Sequence, residues 1–208
     1  MPKAIIFDIG GVLRFYDNHT LNNWLKDTFN LDKDAEDIYE IWRTWNNLRN
    51  IDAIDEHEFY EKILNELKIN INDLSEKDFY QKVASVVTEN NQMWEFLKNN
   101  LYGKFKLYIF SNFSKRDIKD FQEATDFEKY FDKCIYSCEI KVRKPDLNFF
   151  QKGLELIGEK AEDCIFIDDK LKNTEASTKF GIKSILYTNF ENFQEEITSY
   201  LEKSVLIK

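Results

Sequence analysis

Glycine and proline are scarce, with only 6 and 2 in a chain of 208 residues. Each therefore marks a place where the backbone has a particular task, such as a tight turn, a close approach or a fixed φ. Cysteine is limited to Cys134, Cys138 and Cys164, with no CxxC spacing, which argues against a disulfide framework or a thiolate zinc site. The three read as reduced core residues of a cytoplasmic protein. Histidine occurs only as His19 and His57. An excess of cations is missing too: 29 Lys+Arg against 38 Asp+Glu leave a formal net charge of -9, the opposite of the footprint that nucleic-acid backbones require. No apolar run reaches the length of a membrane span, and the run at residues 4–7 is too short for a signal-peptide core, so no membrane association is expected. What the chain has is a composition 43% hydrophobic and 15% aromatic, ample for a buried core and incompatible with intrinsic disorder.

Short, nearly continuous apolar runs at residues 3–7, 106–110, 133–136, 164–167 and 183–187 have the length and character of strands covered on both faces. Helical patterns at 115–130, 147–157, 173–180 and 190–203 alternate with the later runs. That alternation predicts an α/β fold, a Rossmann-like, doubly wound parallel sheet. The rhythm breaks once. Between the first and second strands, roughly a hundred residues carry almost no strand signal. They read instead as amphipathic helices near 21–29, 35–48, 56–67, 76–89 and 93–101. Asp55 followed three residues later by Glu58 marks one helix start as a capping box. The expected organisation is a catalytic core of residues 1–14 and 93–208 with a helical insertion at 15–92.

In a doubly wound sheet, functional groups gather where loops leave the carboxyl ends of strands. Those positions hold Asp8, Ser111-Asn112, Lys144 and Asp168-Asp169. A carboxylate, a hydroxyl, an ammonium and a carboxylate pair suit phosphoryl transfer through an acyl phosphate: a nucleophile, hydrogen-bond donors, a cation and ligands for a hard divalent metal.

Four segments in order resemble the haloacid dehalogenase-like hydrolases: Phe7-Asp8-Ile9-Gly10-Gly11-Val12-Leu13, Ile109-Phe110-Ser111-Asn112, Val142-Arg143-Lys144-Pro145-Asp146, and Phe166-Ile167-Asp168-Asp169 with Asn173 following. The insertion is similar to the helical caps of the small sugar-phosphate phosphatases and dehalogenases in that superfamily. The resemblance implies that Asp8 is the nucleophile. It implies Mg2+ held by Asp8, the Gly10 carbonyl, Asp168 and Asp169. Ser111 and the Asn112 amide would bind the phosphoryl oxygens, Lys144 would offset charge, and Asn173 would orient the loop or Lys144. The implied substrate is a small phosphorylated metabolite, with sugar phosphates such as a hexose 1-phosphate leading, and the implied cap closes to exclude water.

One position departs from the usual phosphatase pattern. The residue two after the nucleophile is Gly10, where most relatives carry an aspartate acting as general acid, a group worth roughly 10²- to 10⁴-fold in rate. That leaves three readings: a phosphatase working without the second aspartate, a metal-independent 2-haloacid dehalogenase, or a non-catalytic module binding a phospho-ligand or protein. Dehalogenases have no use for Asp168-Asp169, and a silent scaffold has no physical reason to keep mutually repelling carboxylates, which favours the phosphatase. In the insertion, Trp42, Arg43, Trp45 and Arg49, and the entry residues Arg14, Phe15 and Tyr16, are candidate substrate readers; His19, His57 and most of the tryptophans read as structural. Two of the 6 glycines, Gly10 and Gly11, and one of the 2 prolines, Pro145, adjoin the proposed chemistry.

Overall fold

Apolar strand runs, separated by helices with clear caps, give the chain its element order. A computed structural model describes residues 2–202; Met1 and residues 203–208, which the expected core range and the closing helix include, lie outside the described residues. Strand β1 (Ala4–Phe7) leads to a short β2 (Arg14–Tyr16), then to four helices: α1 (Asn18–Phe29), α2 (Ala35–Arg49), α3 (Glu56–Leu67) and α4 (Glu76–Ser85). Next come β3 (Val87–Glu89) and α5 (Asn91–Phe96), which runs on into a π-helical turn at Leu97–Leu101. The remainder alternates: β4 (Lys106–Ser111), α6 (Lys115–Ala124), β5 (Lys133–Tyr136), α7 (Ser137–Ile140), α8 (Leu147–Ile157), β6 (Cys164–Asp168), α9 (Leu171–Lys179), β7 (Lys183–Leu186) and α10 (Phe190–Glu202).

Five strands form one parallel sheet in the order β5-β4-β1-β6-β7. The three central strands β4, β1 and β6 are buried on both faces, as the continuous apolar runs require, while the edge strand β7 is only partly covered. Ile5 and Phe7 join Leu107, Ile109, Ile165 and Ile167 under α5, α6 and α10, while Ala4 and Ile6 join Tyr108, Phe110 and Phe166 under α8 and α9. Gly153 on α8 permits that second contact, because a Cβ there would lie 2.5 Å from the Phe110 ring. Register then decides the site. Phe7 pairs with both Ile109 and Ile167, so Asp8, Ser111 and Asp168 emerge together at one edge, where the chain leaves on opposite sides of β1.

The helices α1 to α4 enclose a separate apolar cluster in which Phe59, Phe79, Tyr60 and Tyr80 pack edge to face and Trp42 stacks on Phe79. Side chains of Asp34, Asp55 and Ser75 accept from backbone amides at the starts of α2, α3 and α4. The expected helix at 76–89 stops at Ser85, because Val87–Glu89, which opens on the β-branched pair Val87-Thr88, pairs as β3, antiparallel to β2. This two-stranded ribbon carries the chain between the helices and the sheet. Among the described residues no helix is long and apolar enough to cross a membrane.

Candidate active site

The floor of the site is a network of charges withdrawn from water. Asp8 is 4% exposed, and its Oδ1 accepts from the Ile9 amide at 2.7 Å and the Ser111 hydroxyl at 2.9 Å. Lys144 is wholly buried: its Nζ donates to Asp168 Oδ2 at 2.6 Å and to the Phe110 carbonyl at 2.8 Å, and lies 3.1 Å from Asp8 Oδ2. Asn112 braces this lysine by exchanging hydrogen bonds with its backbone, at 2.9 and 3.0 Å. Asn173 donates to both oxygens of Asp168, at 2.9 and 3.0 Å. It therefore orients the carboxylate, where the sequence suggested the loop or Lys144. Burial alone would raise the pKa of Asp8, but the charges of Lys144 and Lys170 hold it below the ordinary carboxylate value. An ionised, oriented, desolvated carboxylate is a competent nucleophile.

Carboxylate oxygens of Asp8, Asp168 and Asp169 lie within 4.8 Å of one another. Burial, with the charge of Asp8 added, pushes Asp168 up to about 7 despite Lys144, and burial raises Asp169 as well. Asp169 Oδ1 is buried without a hydrogen-bond partner. Three crowded carboxylates that share one buried lysine, with an oxygen of Asp169 left orphaned, are the donor set a hard divalent cation takes, so these residues fit the implied magnesium. Gly11 makes room for the Asp169 side chain: at φ +83° it leads the chain past that carboxylate, whose Cγ would lie 2.4 Å from an added Cβ. Gly10 lies beside the Tyr16 ring, whose nearest carbon is 3.6 Å from where a Cβ would sit, an ordinary contact distance.

Above the floor is a cavity of about 400 Å³, walled on the far side by α1 and α2. Of the buried polar side-chain atoms without partners among the described residues, all but the Tyr136 hydroxyl belong to residues lining this cavity: Trp42 Nε1, Asn50 Oδ1, Arg143 Nε, Asp169 Oδ1 and Asn173 Oδ1. Folded proteins rarely leave such atoms unpaired, so their concentration in one cavity marks it as a place completed by a ligand.

The sequence pattern of haloacid dehalogenase-like hydrolases matches residues 2–181. The chain belongs to that family. A drimenol cyclase of Aspergillus calidoustus is 26% identical over 200 residues, 96% of this chain but 36% of the cyclase, so the chain spans about a third of that relative's length. A sesquiterpene phosphatase of Aspergillus oryzae is 25% identical over 189 residues, 90% of both proteins. The fold is shared with a HAD family enzyme of Bacteroides thetaiotaomicron solved in complex with magnesium and inorganic phosphate, at TM-score 0.74 and 22% identity, over 89% of this chain and 93% of that one.

In this hydrolase the structure gathers Asp8, Gly10, Ser111, Asn112, Lys144, Asp168, Asp169 and Asn173 around one edge of the sheet. Of the candidate readers, Phe15, Tyr16, Trp42, Arg43 and Arg49 line the cavity. Arg14 is turned to Glu89 and stacks over Phe121, and Trp45 packs beneath Lys62 in the helical cluster. Missing from the expected set were Tyr39, Asn46, Asn47, Arg143, Lys170 and Lys172, all of which line the cavity. For Tyr39, Asn46 and Asn47 a signal existed: they share a face of α2 with Trp42 and Arg43 at helical spacing. Arg143 and Lys172 lie in loops and helix starts whose facing no periodicity reports.

Proposed function

We propose that this hydrolase cleaves small phosphomonoesters, with residues 15–92 acting as a cap over a core of 1–14 and 93–208. The observation that carries the reading is the state of Asp8: ionised, fixed by Ser111 and the Ile9 amide, and opening onto a cavity beside two further carboxylates. A dehalogenase needs no such cluster. Asp8 attacks phosphorus, the bond to the ester oxygen breaks, and an aspartyl phosphate forms; water then attacks phosphorus, releasing inorganic phosphate and restoring Asp8. Ser111 and Lys144 hold the nucleophile in line, and Ser111 and Asn112 border the place where phosphoryl oxygens collect. Magnesium, when bound by Asp8, Asp168 and Asp169, supplies the positive charge that lets a phosphoryl dianion approach three carboxylates. Lys170, held above its ordinary pKa by Asp8, Asp169 and Asp168 against the opposing effect of burial, adds a further cation.

With Gly10 two residues after the nucleophile the chain offers no carboxylic acid there, so leaving groups that need little protonation, such as the anomeric oxygen of a sugar 1-phosphate, suit the site best. The solved neighbour with bound magnesium and phosphate and the relative named as a phosphatase support the same chemistry. The test is phosphate release from p-nitrophenyl phosphate and a panel of sugar phosphates, with magnesium, by the native chain and Asp8→Asn. Turnover in the native chain that falls by about 10⁴-fold or more in the variant is expected. Equal rates in the two would overturn the reading.

A further inference from the structure

The cavity holds more positive charge than a single phosphoryl group calls for. Lys144 is already committed to Asp8 and Asp168 on the floor. Arg143, one residue earlier, lines the wall with its Nε buried and without an acceptor. Lys172, near the start of α9, lines the same wall. Among the described residues neither has a carboxylate within ion-pair distance. Arg43 lines the cavity from α2; its Nε is 2.9 Å from Glu40, an exposed pair that leaves most of its donors open. Burial and then Arg43 lower the pKa of Arg143, and burial and then Arg143 lower that of Lys172, while Arg43 itself is held by Glu40. Arg43 and Lys172 are open to solvent, but the Nε of Arg143 is buried, so water screens this cluster only in part and an anionic ligand in the cavity would offset the remaining repulsion. Trp42 Nε1, another buried donor without an acceptor, lines the same cavity, so with Arg143 Nε it offers two donors to a ligand's acceptor atoms, beside the unpaired acceptors of Asn50, Asp169 and Asn173.

We propose that the substrate carries a second phosphoryl group, not the one attacked by Asp8, and that Arg143 and Lys172 hold it with Arg43 facing them from α2. A phosphoryl group fits better than a carboxylate because it offers three acceptor oxygens and up to two charges to a guanidinium and an ammonium that have no other partner. The substrate is then a bisphosphate, with the two groups on different carbons, or an organic diphosphate, with the groups joined. This inference rests on the phosphatase reading and narrows its substrate class.

The native chain with magnesium is assayed first on p-nitrophenyl phosphate, then on fructose 6-phosphate against fructose 1,6-bisphosphate, and for inhibition by orthophosphate against pyrophosphate. A preference of about tenfold or more for the partner with two phosphates is expected in at least one pair, as hydrogen bonds to charged groups would give. The bisphosphate pair reports separated groups and the pyrophosphate pair joined ones. In Arg143→Gln/Lys172→Gln that preference falls to about threefold or less, because both charges are gone. Turnover of p-nitrophenyl phosphate without any preference, or a preference that survives the double substitution, overturns the inference and leaves the phosphatase reading standing. Absence of all turnover overturns the phosphatase reading. Titration calorimetry of pyrophosphate and orthophosphate then decides the anion site, with tighter pyrophosphate binding that is lost in the double variant supporting it and equal affinities overturning it.

Discussion

The sheet edge and the helices that face it across the cavity are both held by ion pairs, but of different kinds. At the sheet edge, Lys144, Asp8 and Asp168 are buried, and each bond is braced by a further donor: Ser111, Asn173 or a backbone amide. Across the cavity, Arg49 at the end of α2 donates to Asp117 at 3.0 Å and to Glu56 at 3.1 Å. Asp52 accepts from Lys115 at 2.8 Å and also from Lys141, and Asn50 offers its carbonyl to the Ser137 hydroxyl. Asp117, Lys115, Lys141 and Ser137 belong to the sheet's own helices and loops, so these contacts pin α2 and its following loop to them, the Asp52 pairs at a solvent edge and the Arg49 pairs and the Asn50–Ser137 bond largely buried. Buried charges keep one geometry whether or not substrate is present, whereas bonds at a wet edge can be exchanged for water. The first arrangement suits a reaction centre and the second suits a roof.

Lys144→Met is the severest way to break that comparison. It leaves two buried carboxylates without their cation, and the expected cost is about 3–5 kcal/mol of stability in the metal-free protein together with complete loss of turnover. Urea unfolding followed by circular dichroism measures the first, and phosphate release the second. Because water does not reach this pair, the stability loss should be nearly the same in about 0.5 M salt as in dilute buffer.

Arg49→Ala strikes the roof. Arg49 is 8% exposed and also stacks over Phe59, with its guanidinium carbon 4.4 Å from the ring centroid, so packing is lost along with two ion pairs. About 2–3 kcal/mol is expected, since its partners Asp117 and Glu56 keep some access to water and can be rehydrated. In contrast to the lysine variant, the gap from the native chain should narrow in high salt. Equal salt responses in the two variants would erase the distinction between floor and roof.

Asp169→Asn runs the other way. Its carboxylate is buried beside Asp8 with Oδ1 unpaired, and burial raises its pKa, so the charged form is disfavoured by the fold. Removing the charge is expected to stabilise the metal-free protein by about 1 kcal/mol, a rise of about 2–4 °C in Tm. The same change should abolish the increase in Tm that magnesium gives the native chain, because a ligand that binds only the folded state stabilises it by mass action. Scanning calorimetry with and without magnesium reads both.

The floor was legible in the sequence because its residues are tied to strand ends. Once residues 4–7, 106–111 and 164–168 are seen to be strands, parallel register alone carries Asp8, Ser111 and Asp168 to one edge. Lys144 was separable from Lys141 by its proline, and Lys141 indeed turns away to Asp52, in a left-handed conformation at φ 58°. The roof was far less legible. A three-residue strand such as β3 is too short for a periodic signal, so Val87–Glu89 reads as the tail of a helix until β2 is seen beside it. Trp42 and Trp45 look alike in sequence and both pack against the helical cluster, yet only Trp42 also lines the cavity, a choice made by how α2 packs on α3. Arg143 and Lys172 acquire meaning only from what they lack, and the absence of a partner is a property of three-dimensional packing.

His57 gives the smallest and most local test, far from the chemistry. It is exposed on α3, with Nδ1 2.8 Å from Glu76 at the start of α4 and Nε2 3.5 Å from Glu61. Its pKa is raised, chiefly by the hydrogen bond to Glu76. A histidine whose folded pKa exceeds its unfolded value contributes stability that is complete below the ordinary value of about 6.5 and is lost as pH rises through the folded pKa. The native chain should therefore lose a little Tm between about pH 6 and pH 8 that His57→Asn does not lose, with the two converging at the upper end. The effect is small because both partners are solvated, and salt should diminish it further. Turnover per folded molecule should be the same in both proteins at every pH, since this pair only ties α3 to α4 within the roof; a shift in the pH profile of activity would mean that packing among the roof helices reaches the floor.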